Sequence, residues 1–145
     1  MRSKSTAYRP STTMTVTLWS MQVLLALLFL LAGAMKLVVP LEVLTEQVPL
    51  PGLFVRFIGV IEVLGAVGLI LPALLHIRPR LTALAAAGLA LEMVIATVFS
   101  VVMLGAAAAV LPVVAGLLSA FVAYNRFRLA QDRTPSRASV LQAAS

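Results

Sequence analysis

The stretch Leu53-Phe54-Val55-Arg56-Phe57-Ile58-Gly59-Val60-Ile61-Glu62-Val63-Leu64-Gly65-Ala66-Val67-Gly68-Leu69-Ile70-Leu71-Pro72-Ala73-Leu74-Leu75 decides the fold. It is apolar except at Arg56 and Glu62 and has the length, about twenty residues, needed to cross a hydrocarbon core as a helix. Lipid offers no water to backbone N–H and C=O groups, so a helix is the form such a run must take. Working outward, three further runs have the same character: about Leu18 to Val38, about Leu81 to Met103, and roughly residues 107 to 124. With 61% hydrophobic and 11% charged residues in 145, the chain carries more apolar surface than a soluble domain of this size can bury. The fold class implied is all-α and integral to the membrane: a bundle of four transmembrane helices.

The breaks between the runs carry the charge. Residues 1–15, with Arg2, Lys4 and Arg9, read as a disordered basic tail, and residues 125–145 as a second basic tail. With four spans drawn, Arg2, Lys4, Arg9, Arg78, Arg80, Arg126, Arg128, Arg133 and Arg137 fall on one side, and Glu42 and Glu46 on the other. The positive-inside rule then places both termini in the cytoplasm and the protein in the cell's plasma membrane, the inner membrane where there are two. Three or five spans would divide the basic clusters between compartments. Residues 39–52 hold Pro40, Pro49, Pro51 and Gly52 and read as a loop, within which Leu41, Leu44 and Val48 keep the spacing of a short interfacial helix. Leu24 to Leu31 followed by Ala32-Gly33-Ala34 also fits a cleavable signal template, but apolar sequence continues through Val39 and favours a span.

Charge and composition also remove function classes. A net charge of +6 would suggest nucleic acid in a soluble protein, but here the basic residues flank spans and interleave with no aromatic platform. With no cysteine, thiolate nucleophiles, disulfide relays and cysteine-held clusters are excluded. His76 is the single histidine, so this chain alone cannot hold a haem between two histidines, and no metal site is expected.

Ionisable residues within spans are costly and mark function by default. Glu62 shares its helix face with Gly59, Gly65 and Ala66, and Glu92 shares its face with Ala85, Gly88 and Ala96; small neighbours of this kind let another helix approach, so both carboxyls should point into the bundle. Glu62 lies thirteen positions before Leu75 and Glu92 eleven after Leu81. Antiparallel packing would therefore put them near mid-membrane within about 3 Å in height. Two carboxylates so placed cannot both ionise cheaply. Lys36 stands near the outer end of the first span and could reach Glu62; Phe29 and Gln22 continue its stripe, which makes Gln22 a supporting member of a polar core of Lys36, Glu62 and Glu92. Arg56, within a turn of a span's end, reads first as a side chain snorkelling to the interface and second as support for that core. Such a core can equally serve only to fix helix register. Ala115, Ser119 and Ala123 form a small-residue stripe suited to helix packing.

The segment Gly33-Ala34-Met35-Lys36-Leu37, followed by a second span of pattern G-x-x-E-x-x-G-A-x-G-L-x-x-P from Gly59 to Pro72, resembles the DoxX-like family of small bacterial membrane proteins over roughly residues 20–124. The resemblance implies a four-helix membrane protein with Lys36 and Glu62 among its polar positions. Span three departs: Thr97 and Ser100 stand where members often place a histidine, and Glu92 is outside the pattern. The family takes its name from a subunit associated with thiosulfate-to-quinone oxidation. It thereby implies an accessory subunit of a quinone-linked membrane oxidoreductase, with redox enzymes as partners, quinone as the one cofactor in view and no redox centre of its own. Two other readings stand beside it: a small proton-coupled transporter or efflux protein acting as a homodimer, and a non-catalytic assembly or stress protein. Whether the chain is an enzyme is open at this level.

Overall fold

The structure, a computed structural model, describes residues 11–132; the expectations for residues 1–10 and 133–145 lie outside that range. The described residues are helical throughout: α1 (Thr12–Val38), α2 (Leu41–Gln47), α3 (Gly52–Leu74), α4 (Pro79–Met103) and α5 (Val110–Asp132), the last preceded by a 3₁₀ turn at Ala106–Ala109. Four segments are long and apolar enough to cross a membrane: Thr12–Val38, Gly52–Leu74, Arg80–Met103 and Ala106–Gln131.

Prolines and glycine set several of the breaks. α1 stops where Val39, the residue before Pro40, turns extended, because a following proline disfavours the helical region. Pro51 precedes α3, and Pro79 opens α4 at a position where its missing N–H costs nothing. Between α3 and α4 the chain reverses through His76 (φ 53°) and Arg78 (φ 43°), both left-handed, and between α4 and α5 through Gly105 (φ 94°), where glycine carries no steric penalty.

Two helix ends correct the sequence-based boundaries. α1 begins at Thr12 instead of near Leu18: the Ser11 hydroxyl accepts from the Met14 amide at 3.3 Å, and Thr15 and Thr17 donate back to the carbonyls of Ser11 and Thr13. α5 continues about two turns past Tyr124, with Asn125 donating to the Phe121 carbonyl at 2.9 Å, so the chain from 125 to 132 is helix and not tail. A helix needs capped or hydrated backbone groups at its ends, and these polar residues provide them outside the apolar zone.

The helices form an antiparallel bundle in which α1 packs on α3, α4 on α5, and α3 joins the two pairs; α1 and α5 touch less. Residues 12 and 132 therefore lie at one end with the α3–α4 turn, and α2 at the other. Leu25, Phe29, Leu69, Leu89 and Val122 fill the core. Leu24, Leu27, Leu31, Leu84, Leu91, Val94, Ile95 and Val98 face outward, an arrangement that lipid accepts and water does not. Glycines set the register. A Cβ at Gly33 would sit 2.7 Å from the Gly59 carbonyl oxygen, and one at Gly65 would sit 2.5 Å from Leu89 Cδ2. α1 and α3 thus cross nearly backbone to backbone, as small residues permit in membranes.

Gly33→Ala should therefore force α1 from α3 and cost about 1–3 kcal/mol, as other overpacked contacts do. Gly88→Ala, where an added Cβ meets nothing within 4 Å, should leave stability equal or higher. Thermal unfolding in detergent followed by circular dichroism compares the two.

A candidate intramembrane polar site

Lys36, two residues from the end of α1, lays its side chain across Gly59: a Cβ there would meet Lys36 Cβ at 2.9 Å. The ammonium does not turn out toward the near membrane face. It points back along α3 and donates to both Glu62 carboxylate oxygens, each at 2.7 Å. Glu62 is 5% exposed at the side chain and Lys36 28%, so the pair is open only from the lysine's side. In a low-dielectric surround a charge survives by pairing, and this contact is charge-assisted.

Glu92 reaches the same region from α4. The Gly65–Leu89 and Gly68–Ala85 contacts fix the antiparallel register of α3 and α4, and one turn further along it position 62 stands level with position 92. Glu92 lies within electrostatic reach of both Glu62 and Lys36. Both of its carboxylate oxygens are buried, and neither has a hydrogen-bond partner among the described residues. Counted from helix ends, Glu62 is ten residues into α3 and Glu92 eleven before the end of α4, about 15 Å from the α2 end and near the middle of a ~30 Å core. Three helices thus bring Lys36, Glu62 and Glu92 together in the bundle interior.

The two supporting residues are elsewhere. Arg56 donates from Nη1 to the Lys36 carbonyl and from Nη2 to the Val39 carbonyl, both at 3.0 Å. It does not snorkel into bulk interface; it caps the C-terminal end of α1, where unpaired carbonyls and the helix dipole favour a cation. Gln22 is fully buried but fourteen residues from Lys36 on α1, about 21 Å along the axis. Its Nε2 donates to the Leu69 carbonyl at 2.7 Å, and its Oε1 accepts from Arg126 Nε at 2.8 Å and from Arg126 Nη2. Gln22 therefore belongs to a second polar group at the termini end, not to the Lys36 cluster. The Leu69 carbonyl sits in the turn before Pro72, whose missing N–H takes the helical donor from the neighbouring Gly68 carbonyl. Arg126 also lies over the Trp19 ring, 5.6 Å from its centroid. Arg126 was not legible as a site residue, since a basic residue past a span reads as topology signal.

An apolar groove of about 400 Å³ runs between α1 and α3, lined among others by Val23, Leu27, Leu30, Val67 and Leu71. At 100° per residue these positions flank the α1–α3 seam on the side away from Lys36 and Glu62, so the groove faces lipid and does not open into the cluster. Ala115, Ser119 and Ala123 are buried within the bundle and hold α5 in place. Thr97 donates to the Met93 carbonyl at 2.7 Å, and Ser100 is buried.

The profile of the DoxX-like family matches residues 20–122. The chain belongs to the DoxX-like family. No curated protein and no solved structure matches it. The matched range of this DoxX-like protein includes Gly33, Lys36, Gly59, Glu62, Glu92 and Pro72, and stops short of Arg126.

For a DoxX-like bundle held by such a pair, removing the ammonium leaves Glu62 buried and uncompensated. Lys36→Met should cost about 3–5 kcal/mol, Glu62→Gln should cost less because Glu92 remains within electrostatic reach of the ammonium, and Lys36→Met/Glu62→Met should recover most of the Lys36→Met loss. Denaturant-induced unfolding in mixed micelles measures all three.

Proposed function

We propose that this DoxX-like protein is an accessory membrane subunit of a quinone-linked oxidoreductase system, without a redox centre of its own, and that a quinone head group is received at the Lys36–Glu62–Glu92 cluster. The observation that carries the reading is that cluster: one ammonium and two carboxylates meeting inside an otherwise apolar bundle. A quinone head group presents carbonyl oxygens that accept hydrogen bonds from an ammonium, and its reduced form presents hydroxyls that donate to a carboxylate. The cluster offers both. Lys36, more open than Glu62, lies towards the α2 end and supplies the way in. Membership in a family named for a thiosulfate–quinone system supports the same reading. Lacking cysteine, the chain would leave electron transfer to redox-enzyme partners.

Mass spectrometry of the protein purified in mild detergent tests this: quinone at near-stoichiometric level, lost in Glu62→Gln, together with co-purifying redox enzymes, is the expected result. Absence of both from wild-type preparations overturns it.

The unpaired Glu92 also favours a second reading, a small proton-coupled transporter acting as a homodimer. Proteoliposomes that show substrate-driven proton flux abolished by Glu62→Gln, and no bound quinone, would select it.

In either case we read both termini as cytoplasmic, a reading that the basic flanks support. The absence of native cysteine makes this simple to test. An impermeant maleimide should label Thr45→Cys in intact cells or spheroplasts and label Ile77→Cys only after permeabilisation.

A further inference from the structure

Lys36, Glu62 and Glu92 sum to one positive and two negative groups if every one is ionised, a net −1 far from water. Lys36 is already committed to both oxygens of Glu62. Both Glu92 oxygens are closed off and lack any donor among the described residues. Among the described residues no other cation is at hand to balance it. From α3 the facing ionisable group is Glu62, and from α1 it is Lys36. α5, packed on the other side of α4, has no ionisable residue from Val110 to Ala123. Arg56 is turned away to the end of α1, and Glu42 and Glu46 lie on α2, which packs on α3 near Gly52.

We propose that the three-residue cluster binds one exchangeable proton, carried between the carboxyl groups of Glu62 and Glu92 with Lys36 as the countercharge. One bound proton makes the cluster neutral: an ammonium–carboxylate pair beside a carboxyl group. The ammonium can serve either carboxylate, so the proton and the lysine contact exchange places: when Lys36 faces Glu92, the proton sits on Glu62, and the total charge is the same in both arrangements. The inference stands on the charge count and on the register of α1, α3 and α4, and does not depend on the quinone reading.

The stoichiometry is testable by infrared spectroscopy of the full chain in lipid nanodiscs, reading the carbonyl stretch of a neutral carboxylic acid and its shift on exchange into D₂O. Glu62→Gln/Glu92→Gln supplies the baseline. Wild type should show one exchangeable carboxyl band above that baseline. Glu92→Gln should abolish it, because Lys36 and Glu62 then balance alone, and Glu62→Gln should abolish it as Lys36 turns to Glu92. Lys36→Met should raise the band about twofold, with two carboxyl groups and no countercharge. Glu92 makes no hydrogen bond among the described residues, so Glu92→Gln keeps the fold's contacts and decides the matter even where Lys36→Met fails to fold. A wild-type spectrum equal to the baseline, or a band unchanged in Glu92→Gln, overturns the proposal.

Discussion

The near-contact of two backbones at Gly33 and Gly59 governs this bundle. Without side chains at these positions α1 and α3 come close enough for Lys36 to span the crossing and place its ammonium on Glu62. An ammonium and a carboxylate cost several kcal/mol each to remove from water, a penalty offset only when geometry is good and the remaining hydrogen-bonding capacity is used. Any larger residue at the crossing would lengthen the contact and leave both charges in lipid. The glycines and the ion pair are thus one device: close approach makes the pair affordable, and the pair holds the approach.

From that crossing the bundle divides by depth. Towards α2, Arg56 closes the end of α1 by bonding the carbonyls of Lys36 and Val39. Towards the termini, Gln22 bridges the Leu69 carbonyl and Arg126. Between them lie Leu25, Phe29, Ala66 and Leu69 of the apolar core. These side chains separate the two polar groups along the bundle axis.

The spans were legible in the sequence because lipid leaves the backbone one choice and apolar length sets its extent. The meeting of Lys36 with Glu62 could be approached in the same way, since small residues at 100° spacing reveal which faces close together. What the periodicity lacks is depth and partnership. Gln22 shares the Lys36 stripe by angle, but a helical wheel discards the distance along the axis, and that distance assigns Gln22 to Arg126 instead. Arg56 finds its acceptors in carbonyls at the end of another helix, which no side-chain pattern records. The helix ends were misplaced for a related reason: Ser11, Thr15 and Asn125 extend α1 and α5 through local bonds that outlast the membrane.

The bridge from Gln22 to Arg126 joins the first span to be made with the last, across 104 positions of chain. During synthesis Gln22 enters the bilayer long before Arg126 exists. Until then its amide nitrogen can already bind the Leu69 carbonyl, while its oxygen waits. The ring of helices therefore closes only after α5 has emerged in full, so that a chain cut short before Arg126 carries an open amide oxygen in its first helix, a mark by which incomplete copies differ chemically from finished ones.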